Sequence, residues 1–484
     1  MPLDNTPSES TLPDSTLPPP ITAKTIFFHS LGCPKNLVDT EVMVGISLGD
    51  GFKVVRTAEE AAVIVVNTCS FINDSKRESI EAILDAAEQK KTGKCERLIV
   101  TGCLPQRYKA DLKVSFPEVD AFVGTGQYQH LLDFVAGKKE EDFGFKHPKY
   151  IHNEHSPRIN SQPFYRAYLK VSEGCIKNCA FCIIPKIRGT LRSRTIPSLI
   201  EEAKTLVASG ARELNLIAQD LTDYGRDLRD GSDLAGLLRA LVKVEGLEWI
   251  RMLYVYPDEL SDEVLELIAT EPKIAKYIDT PVQHINDRML QIMNRKTTGA
   301  QIEERLTRLR ARIPEVAIRS TVIVGYPSET EEEFEQLKQF ITRARFDHLG
   351  VFAYSLEENT ASYKLPGQLD EATKQRRRNE LMALQQQISH ERLQENIGKV
   401  VPVLIEEVSE ESEFLWRGRH QGQAPDIDGH VLIRAGHVER GKILPVKLER
   451  AMEYDFIGRT TCENNDSDEL TEIDPEVDGA SAAI

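Results

Sequence analysis

Cys175, Cys179 and Cys182 fall within one short segment, Cys-Ile-Lys-Asn-Cys-Ala-Phe-Cys. Three thiolates can hold three irons of a cubane 4Fe–4S cluster and leave the fourth iron without a protein ligand. Clusters that only carry electrons are normally closed by four cysteines. An open iron is a place for a small molecule to bind, so the spacing points to an enzyme. Zinc is the competing reading, because Cys-x-x-Cys is a common half of a zinc site. Zinc takes four ligands, and neither a second pair nor a nearby His pair completes the set. Iron–sulfur is therefore preferred.

A second set of thiols emerges from the elements that must carry them. Thr25–Phe28 leads to Leu31-Gly32-Cys33, Val63–Val66 to Asn67-Thr68-Cys69, and Leu98–Val100 to Thr101-Gly102-Cys103. Each run reads as a strand and each is followed by a helical pattern, such as Ser75–Gln89 after the second. In parallel sheets ligands bind beyond the carboxyl ends of strands, so these three thiols should gather on one rim. A lone free cysteine is by default a small buried hydrophobe; three at equivalent strand ends argue for a site. Cys95 precedes the strand that Cys103 follows, roughly 20 Å or more away at about 3.3 Å per residue. It is a poor fourth ligand, as is Cys462 at the start of the acidic tail.

The loop from Cys175 to Cys182, with Phe181 before its last cysteine, resembles the radical S-adenosylmethionine (SAM) superfamily. The phrases Ser30–Asn36, Asn67–Ile72 and Gly102–Tyr108 narrow the resemblance to the methylthiotransferases, over about 440 residues of this chain. That resemblance implies two 4Fe–4S clusters. One, on Cys175, Cys179 and Cys182, binds SAM; the other, auxiliary cluster, on Cys33, Cys69 and Cys103, presents sulfur. It also implies that SAM cleavage yields a 5′-deoxyadenosyl radical, that a second SAM supplies the methyl group, and that a low-potential electron donor and a sulfur source take part. The cofactors do the hard chemistry, and the protein positions them.

Strand candidates at Ala167–Val171, Glu213–Ile217, Trp249–Val255, Tyr277–Val282, Ala317–Val324 and His348–Tyr354 alternate with helices as in a parallel (β/α) barrel. The family likeness narrows this to a six-stranded partial barrel. Gln219 and Asp220 close one strand where relatives contact the SAM amino group, although Asp220 is equally suited to cap a helix. Ile323 and Gly325 lie where relatives contact adenine, and Gly325 permits close backbone approach. His284, also at a strand end, reads as a hydrogen-bonded structural residue. Arg376-Arg377-Arg378 reads as a solvated helix face.

From about Ile397 onward, short strands with Gly-containing turns suggest a small β-barrel resembling the TRAM domain, an OB-like module. The fold class is thus α/β with three parts: an N-terminal parallel-sheet domain, a central partial (β/α)6 barrel and a C-terminal small β-barrel. The expected boundaries are a disordered tail at 1–22, the auxiliary-cluster domain at 23–137, a linker at 138–160, the radical SAM core at 161–395, the TRAM domain at 396–462 and an acidic disordered tail at 463–484.

Composition narrows the setting. The 484 residues are 40% apolar and 28% charged, and no apolar run reaches the ~20 residues of a membrane span. The N-terminus lacks a basic segment followed by an apolar core, and eight cysteines argue for metal or catalytic roles in a reducing cytoplasm. A net charge of −16, part of it in the tail Glu463–Ile484, disfavours unaided binding to nucleic-acid backbone; it suits a basic partner and equally serves solubility. Between Asn396 and Cys462, nine Lys and Arg stand against eleven Asp and Glu. That balance points to protein docking over RNA tracking.

Two branches of the methylthiotransferases compete. One modifies adenosine in transfer RNA; the other modifies the β-carbon of an aspartate in small-subunit ribosomal protein twelve. Leu31–Asn36, Ala218–Gly225 and Arg417–Pro425 resemble the second branch. The ribosomal protein is the expected partner and transfer RNA the alternative, with a non-radical Fe–S RNA-binding protein as a distant third reading and no membrane involved.

Overall fold

A computed structural model describes residues 21, 23–142, 148–256, 260–410, 412–434 and 438–461. The tail expected at 1–22 (apart from Ile21), the tail at 463–484 and Cys462 lie outside the described residues. Among the described residues no helix is long and apolar enough to cross a membrane.

Val63–Val66 is apolar on both faces, a pattern stable only in a sheet covered on both sides. It sits inside a parallel sheet of β1 (Thr25–Ser30), β2 (Lys53–Val54), β3 (Val63–Thr68), β4 (Arg97–Gly102), β5 (Ala121–Gly124) and β6 (Glu141–Asp142). Helix Pro34–Gly49 covers one face, packing Val42 and Met43 on Ile26, Phe28 and Val65. Helix Asn73–Thr92 covers the other, packing Ala82, Ile83 and Ala86 on Ile64, Val66 and Leu98. The strand order is β2-β1-β3-β4-β5-β6, so the winding reverses between β1 and β3. At such a switch point the loops beyond the strands part and leave a crevice. Cys33 follows β1 and Cys69 follows β3, one on each side of it.

The central domain continues with β7 (Arg166–Lys170), β8 (Ser172–Glu173), β9 (Arg192–Ser193), β10 (Glu213–Ile217), β11 (Trp249–Met252), β12 (Tyr277–Asp279), β13 (Ala317–Val324) and β14 (His348–Ala353). Six of these form two parallel runs, β7-β10-β11 and β12-β13-β14. The runs meet through a parallel bridge between Ile250 and Ile274 and a hydrogen bond from Val255 N to the Asp279 carbonyl at 2.8 Å. The result is a six-stranded partial barrel. The antiparallel pair β8–β9 pins together the two ends of the segment holding Cys175, Cys179 and Cys182. Two strands are shorter than expected, stopping at Met252 and Asp279 instead of Val255 and Val282. Tyr254 and Gln283 have left-handed backbone, φ 61° and 70°, and Pro281 has no N–H to give a ladder.

A 24-residue helix, Glu371–Gln394, leads to a closed five-stranded barrel of β15 (Val400–Ser409), β16 (Ser412–His420), β17 (Val431–Arg434), β18 (Ile443–Ala451) and β19 (Phe456–Thr460), ordered β15-β16-β17-β19-β18. Closure leaves no sheet edge. Arg376–Arg378 on the helix is not simply a solvated face. Arg377 is buried and paired with Glu329 at 2.5 Å, because the helix lies across Glu329 and Glu331 at the start of the preceding helix.

The loop after β16 enters the amino end of the partial barrel. Asp426 meets Arg166, Asp428 meets Arg319 and the Tyr277 hydroxyl, and the Gln421 carbonyl accepts from Arg251. Beneath it, Glu213 binds both Arg251 (2.8 Å) and Arg419 of β16 (2.6 Å), and Arg419 also meets Glu406 (2.8 Å). Burial favours neutral Glu213, but Arg419 and Arg251 overcome it and hold the carboxyl down to about 2. Replacing Glu213 with Gln should cost roughly 3–5 kcal/mol in urea unfolding, because buried guanidiniums lose their partner. The folded pKa lies below the unfolded one. Glu213 therefore stabilises the fold above its ordinary 4.5, and that contribution drains away as pH falls from there toward 2. Acid sensitivity of the unfolding midpoint over that window should be weaker in Glu213→Gln.

Candidate functional site

The three thiols of the N-terminal domain sit where their strands end. Cys33 caps helix Pro34–Gly49, Cys69 follows β3, and Cys103 opens helix Cys103–Tyr108 after β4. Glycine makes their approach possible at two places. Gly32, at φ 88°, lies so close to Cys69 that an added Cβ would stand 2.7 Å from that residue's Cβ. Gly102, at φ 97°, leaves no room for one against Asn67 Oδ1 and the Thr68 carbonyl, 2.4 and 2.5 Å away. Asn36 laces the loops, donating to the carbonyls of Leu31 (3.0 Å) and Thr68 (2.9 Å). Burial pushes the Cys69 thiol up and that of Cys103 to about 12, with Cys33 adding to both, while Arg188 pulls in the opposite direction.

The second triplet lies on the loop pinned by β8–β9. The Cys175 N–H donates to the Gly189 carbonyl (3.1 Å), the Ala180 N–H to the Met293 carbonyl (2.9 Å), and the Lys177 N–H to Cys175 Sγ (3.3 Å). Arg295 stands 3.8 Å from Cys179 Sγ and stacks 4.0 Å over the Tyr256 ring. Burial raises Cys175 to about 11 and Cys182 to about 12, and Arg295 acts against the latter shift.

The two triplets share one wall. Cys103 packs against Ile183 and Ile187, which follow Cys182 on the short helix Ile184–Arg188 and its first flank. The next side chain, Arg188, reaches across to within 3.7 Å of Cys103 Sγ. Its guanidinium also binds Asn36, Asp39 (3.0 Å) and Glu173 (2.8 Å), and Lys170 joins the same two carboxylates. Sequence reasoning missed this buried network. A lysine inside the apolar run Ala167–Val171 was the one local sign of it.

The remaining residues of interest fall as follows. Asp220 caps the turn Leu221–Asp223, accepting from the Thr222 N–H (3.0 Å), and its other oxygen lies 3.7 Å from the Lys177 ammonium. Gln219 donates to Glu173 at 3.4 Å. Ile323, like Phe181 of the cysteine loop, packs against the cluster of Met289, Met293, Tyr326 and Tyr354. Gly325 has φ 70° and is closely approached by the stem of Lys374, 2.4 Å from where a Cβ would stand. His284 is buried, accepts at Nδ1 from the Asn286 N–H (3.0 Å) and faces Glu329 through Nε2 (3.1 Å). A ring accepting at one nitrogen carries its proton on the other, so His284 donates to Glu329 in a structural contact. Cys95 packs in the apolar core under helix Asn73–Thr92, and burial raises it to about 11.

The donor chemistry fits clusters. Each triplet offers three soft sulfur donors beside one arginine. Among the described residues, no three His, Cys, Asp or Glu side chains converge on a single ion. A cubane places its thiolates on separate irons and requires no such convergence.

Residues 25–124 match the Uncharacterized protein family UPF0004, 169–341 the Radical SAM superfamily and 397–461 the TRAM domain. Ribosomal protein uS12 methylthiotransferase RimO of Bdellovibrio bacteriovorus is 48% identical over 450 residues, 91% of this chain and 98% of the relative. RimO of Myxococcus xanthus is 49% identical over 438 residues, 90% and 92% of the two chains. The chain belongs to the RimO family. It is a radical SAM methylthiotransferase, a class whose chemistry requires a 4Fe–4S cluster and SAM. The radical S-adenosylmethionine methyltransferase TsrM of Kitasatospora setae, solved with cobalamin and a [4Fe-4S] cluster, matches 68% of this chain and 75% of its own. At 14% identity and a TM-score of 0.50 it shares the fold alone.

The glycines give the RimO-family site a direct test. Gly102→Ala should lower stability by more than about 1 kcal/mol, since alanine at positive φ is strained and here also clashes with backbone. Calorimetry of the variant beside Gly51→Ala checks this. Gly51 also has positive φ but nothing within 4 Å of its Cβ position, so the difference between the two isolates the clash.

Proposed function

We propose that this chain inserts a methylthio group at the β-carbon of an aspartate in ribosomal protein uS12, using two 4Fe–4S clusters that are each held by three thiolates. Cys175, Cys179 and Cys182 hold the SAM-binding cluster; Cys33, Cys69 and Cys103 hold the auxiliary one. The observation that carries the reading is the shared wall, where Cys103 packs against Ile183 and Ile187, directly after Cys182. A radical made at one site and sulfur held at the other need such adjacency, because holding reactants together removes most of the entropic barrier to their meeting. The names of the relatives supply uS12 as the substrate.

When bound, the clusters and SAM supply a hydrogen-abstracting radical, the transferable sulfur and the methyl group. The chain's own residues hold and orient. Arg188 and Arg295 favour the thiolate forms of Cys103 and Cys182 against burial. Asp220, beside Lys177 of the cysteine loop, and Gln219, beside Glu173, follow β10 and offer oxygens suited to accept from the SAM ammonium. Ile323, packed against the same apolar cluster as Phe181, and the neighbouring Gly325 are the residues of this reading that suit the adenine. A low-potential electron donor and a sulfur source complete the requirements, and a reducing cytoplasm keeps the cysteines free. The domain limits 23–137, 161–395 and 396–462 belong to the same reading.

Anaerobic reconstitution should give about eight irons per chain, falling to about four when either triplet is replaced by alanine. Replacing Cys175, Cys179 and Cys182 should abolish 5′-deoxyadenosine formation. Replacing Cys33, Cys69 and Cys103 should preserve it and stop methylthiolation. Mass spectrometry of uS12 from a deletion strain should show loss of one methylthio group, with transfer-RNA nucleosides unchanged. About four irons in the unmodified protein, or loss of the group from transfer RNA instead, defeats the reading.

A further inference from the structure

Lys35 belongs to the N-terminal domain, yet its ammonium ends in the barrel. It is the second residue of helix Pro34–Gly49, two residues after Cys33, and only 5% exposed. The ammonium donates to the Ala218 carbonyl at 3.2 Å, beyond the end of β10, and sits 3.5 Å from the centre of the Tyr254 ring. Its charged surroundings are Cys33 on its own helix end, Arg188, Glu173 and Asp279. Glu173 is committed to Arg188 and Lys170. Asp279 accepts from the Tyr254 N–H (3.0 Å) and faces Arg319 at 3.9 Å. Among the described residues, Lys35 forms no ion pair.

A carbonyl and a ring face offset only part of the desolvation of a buried ammonium. An anion that arrives during the reaction would complete the site. Lys35 stands between Cys33 on one side and Ala218-Gln219-Asp220 on the other, so that anion would lie between the two triplets. We propose that Lys35 binds the side-chain carboxylate of the substrate aspartate, an inference that rests on the uS12 reading above. The carboxylate carbon is bonded directly to the β-carbon. Fixing the one therefore holds the other in the crevice, and an uncharged side chain of the same shape is rejected.

The test uses the full chain with both clusters reconstituted anaerobically. Kd is measured for uS12 and for uS12 carrying Asn at the modified aspartate, with the unmodified enzyme and with Lys35→Met. The unmodified enzyme should prefer the aspartate form by roughly 30-fold or more, the usual loss when one partner of a buried charge pair is removed. Lys35→Met should bind both forms alike, with iron content, the paramagnetic resonance of the reduced clusters and SAM affinity unaltered. Lys35→Arg, which keeps the charge, should keep the preference. A preference that survives in Lys35→Met, or is missing from the unmodified enzyme, overturns the proposal. So does a changed cluster spectrum or weakened SAM binding in Lys35→Met, which would assign the charge to a cofactor. If Lys35→Met does not fold, the unmodified enzyme and Lys35→Arg decide by the same preference. An unmodified enzyme that binds neither form of uS12 removes the substrate reading itself, a result distinct from binding both forms equally.

Discussion

The Arg188 guanidinium is the contact on which the arrangement of the two thiol sites depends. It is 2% exposed and touches four groups from three chain segments: Asn36 and Asp39 of the N-terminal helix, Cys103 after β4, and Glu173 of β8. Lys170, itself fully buried, pairs with the same two carboxylates. Two cations and two anions thus balance in a space closed to water. Such a quartet adds little net stability, because desolvation offsets most of its attraction, but losing one member leaves a bare buried charge. A slip of one domain against the other would have that effect. The charges therefore act as a register between the N-terminal sheet and the barrel, and they set how the cysteines of one face those of the other.

A second charged network serves the opposite end of the barrel. A complete eight-stranded barrel fills its interior with layers of apolar side chains. Six strands leave an open wall, and here Arg166, Glu213, Arg251 and Arg319 stand on strands near the amino end. The C-terminal module answers them with Arg419, Asp426 and Asp428. Its loop thus acts as a plug with charges matched to those of the strands. The carboxyl end, where the cysteine loop lies, is left to the N-terminal domain.

Much of this could be read in the chain. The runs Val63–Val66 and Leu98–Val100 announced buried parallel strands, and the cysteine phrases after them announced the family. Alternation and turn glycines gave the small barrel. The strand ends at Met252 and Asp279 were not legible, because Tyr254 and Gln283 adopt left-handed backbone with no glycine to signal it. Nor were the charged contacts. Lys170 meets Asp39 from 131 residues away, Arg188 meets the same residue from 149, and Lys35 reaches Ala218 across 183. Local periodicity carries no information over such separations, and a lone Lys or Arg reads by default as surface. Arg377 misled in the same way: its place in an Arg triplet suggested solvent, whereas Glu329 draws it into the interior.

Charge acts on two scales in this chain, with opposite signs. Over the whole chain the excess is negative, −16 in all. A field of that sign speeds encounter with a basic protein and weakens with salt; it works against a phosphodiester backbone. It cannot choose one side chain, because screening leaves nothing specific beyond about 10 Å. Selection must come from a desolvated contact, where a charge is felt at short range and an unmatched partner is penalised. The crevice at the strand ends offers that contrast: Asp39 and Glu173 are neutralised by Arg188 and Lys170, while Lys35 contacts a carbonyl and a ring and, among the described residues, forms no ion pair. In the proposed reading, long-range attraction of a basic protein and short-range binding of its carboxylate by Lys35 therefore act on separate scales of one recognition scheme.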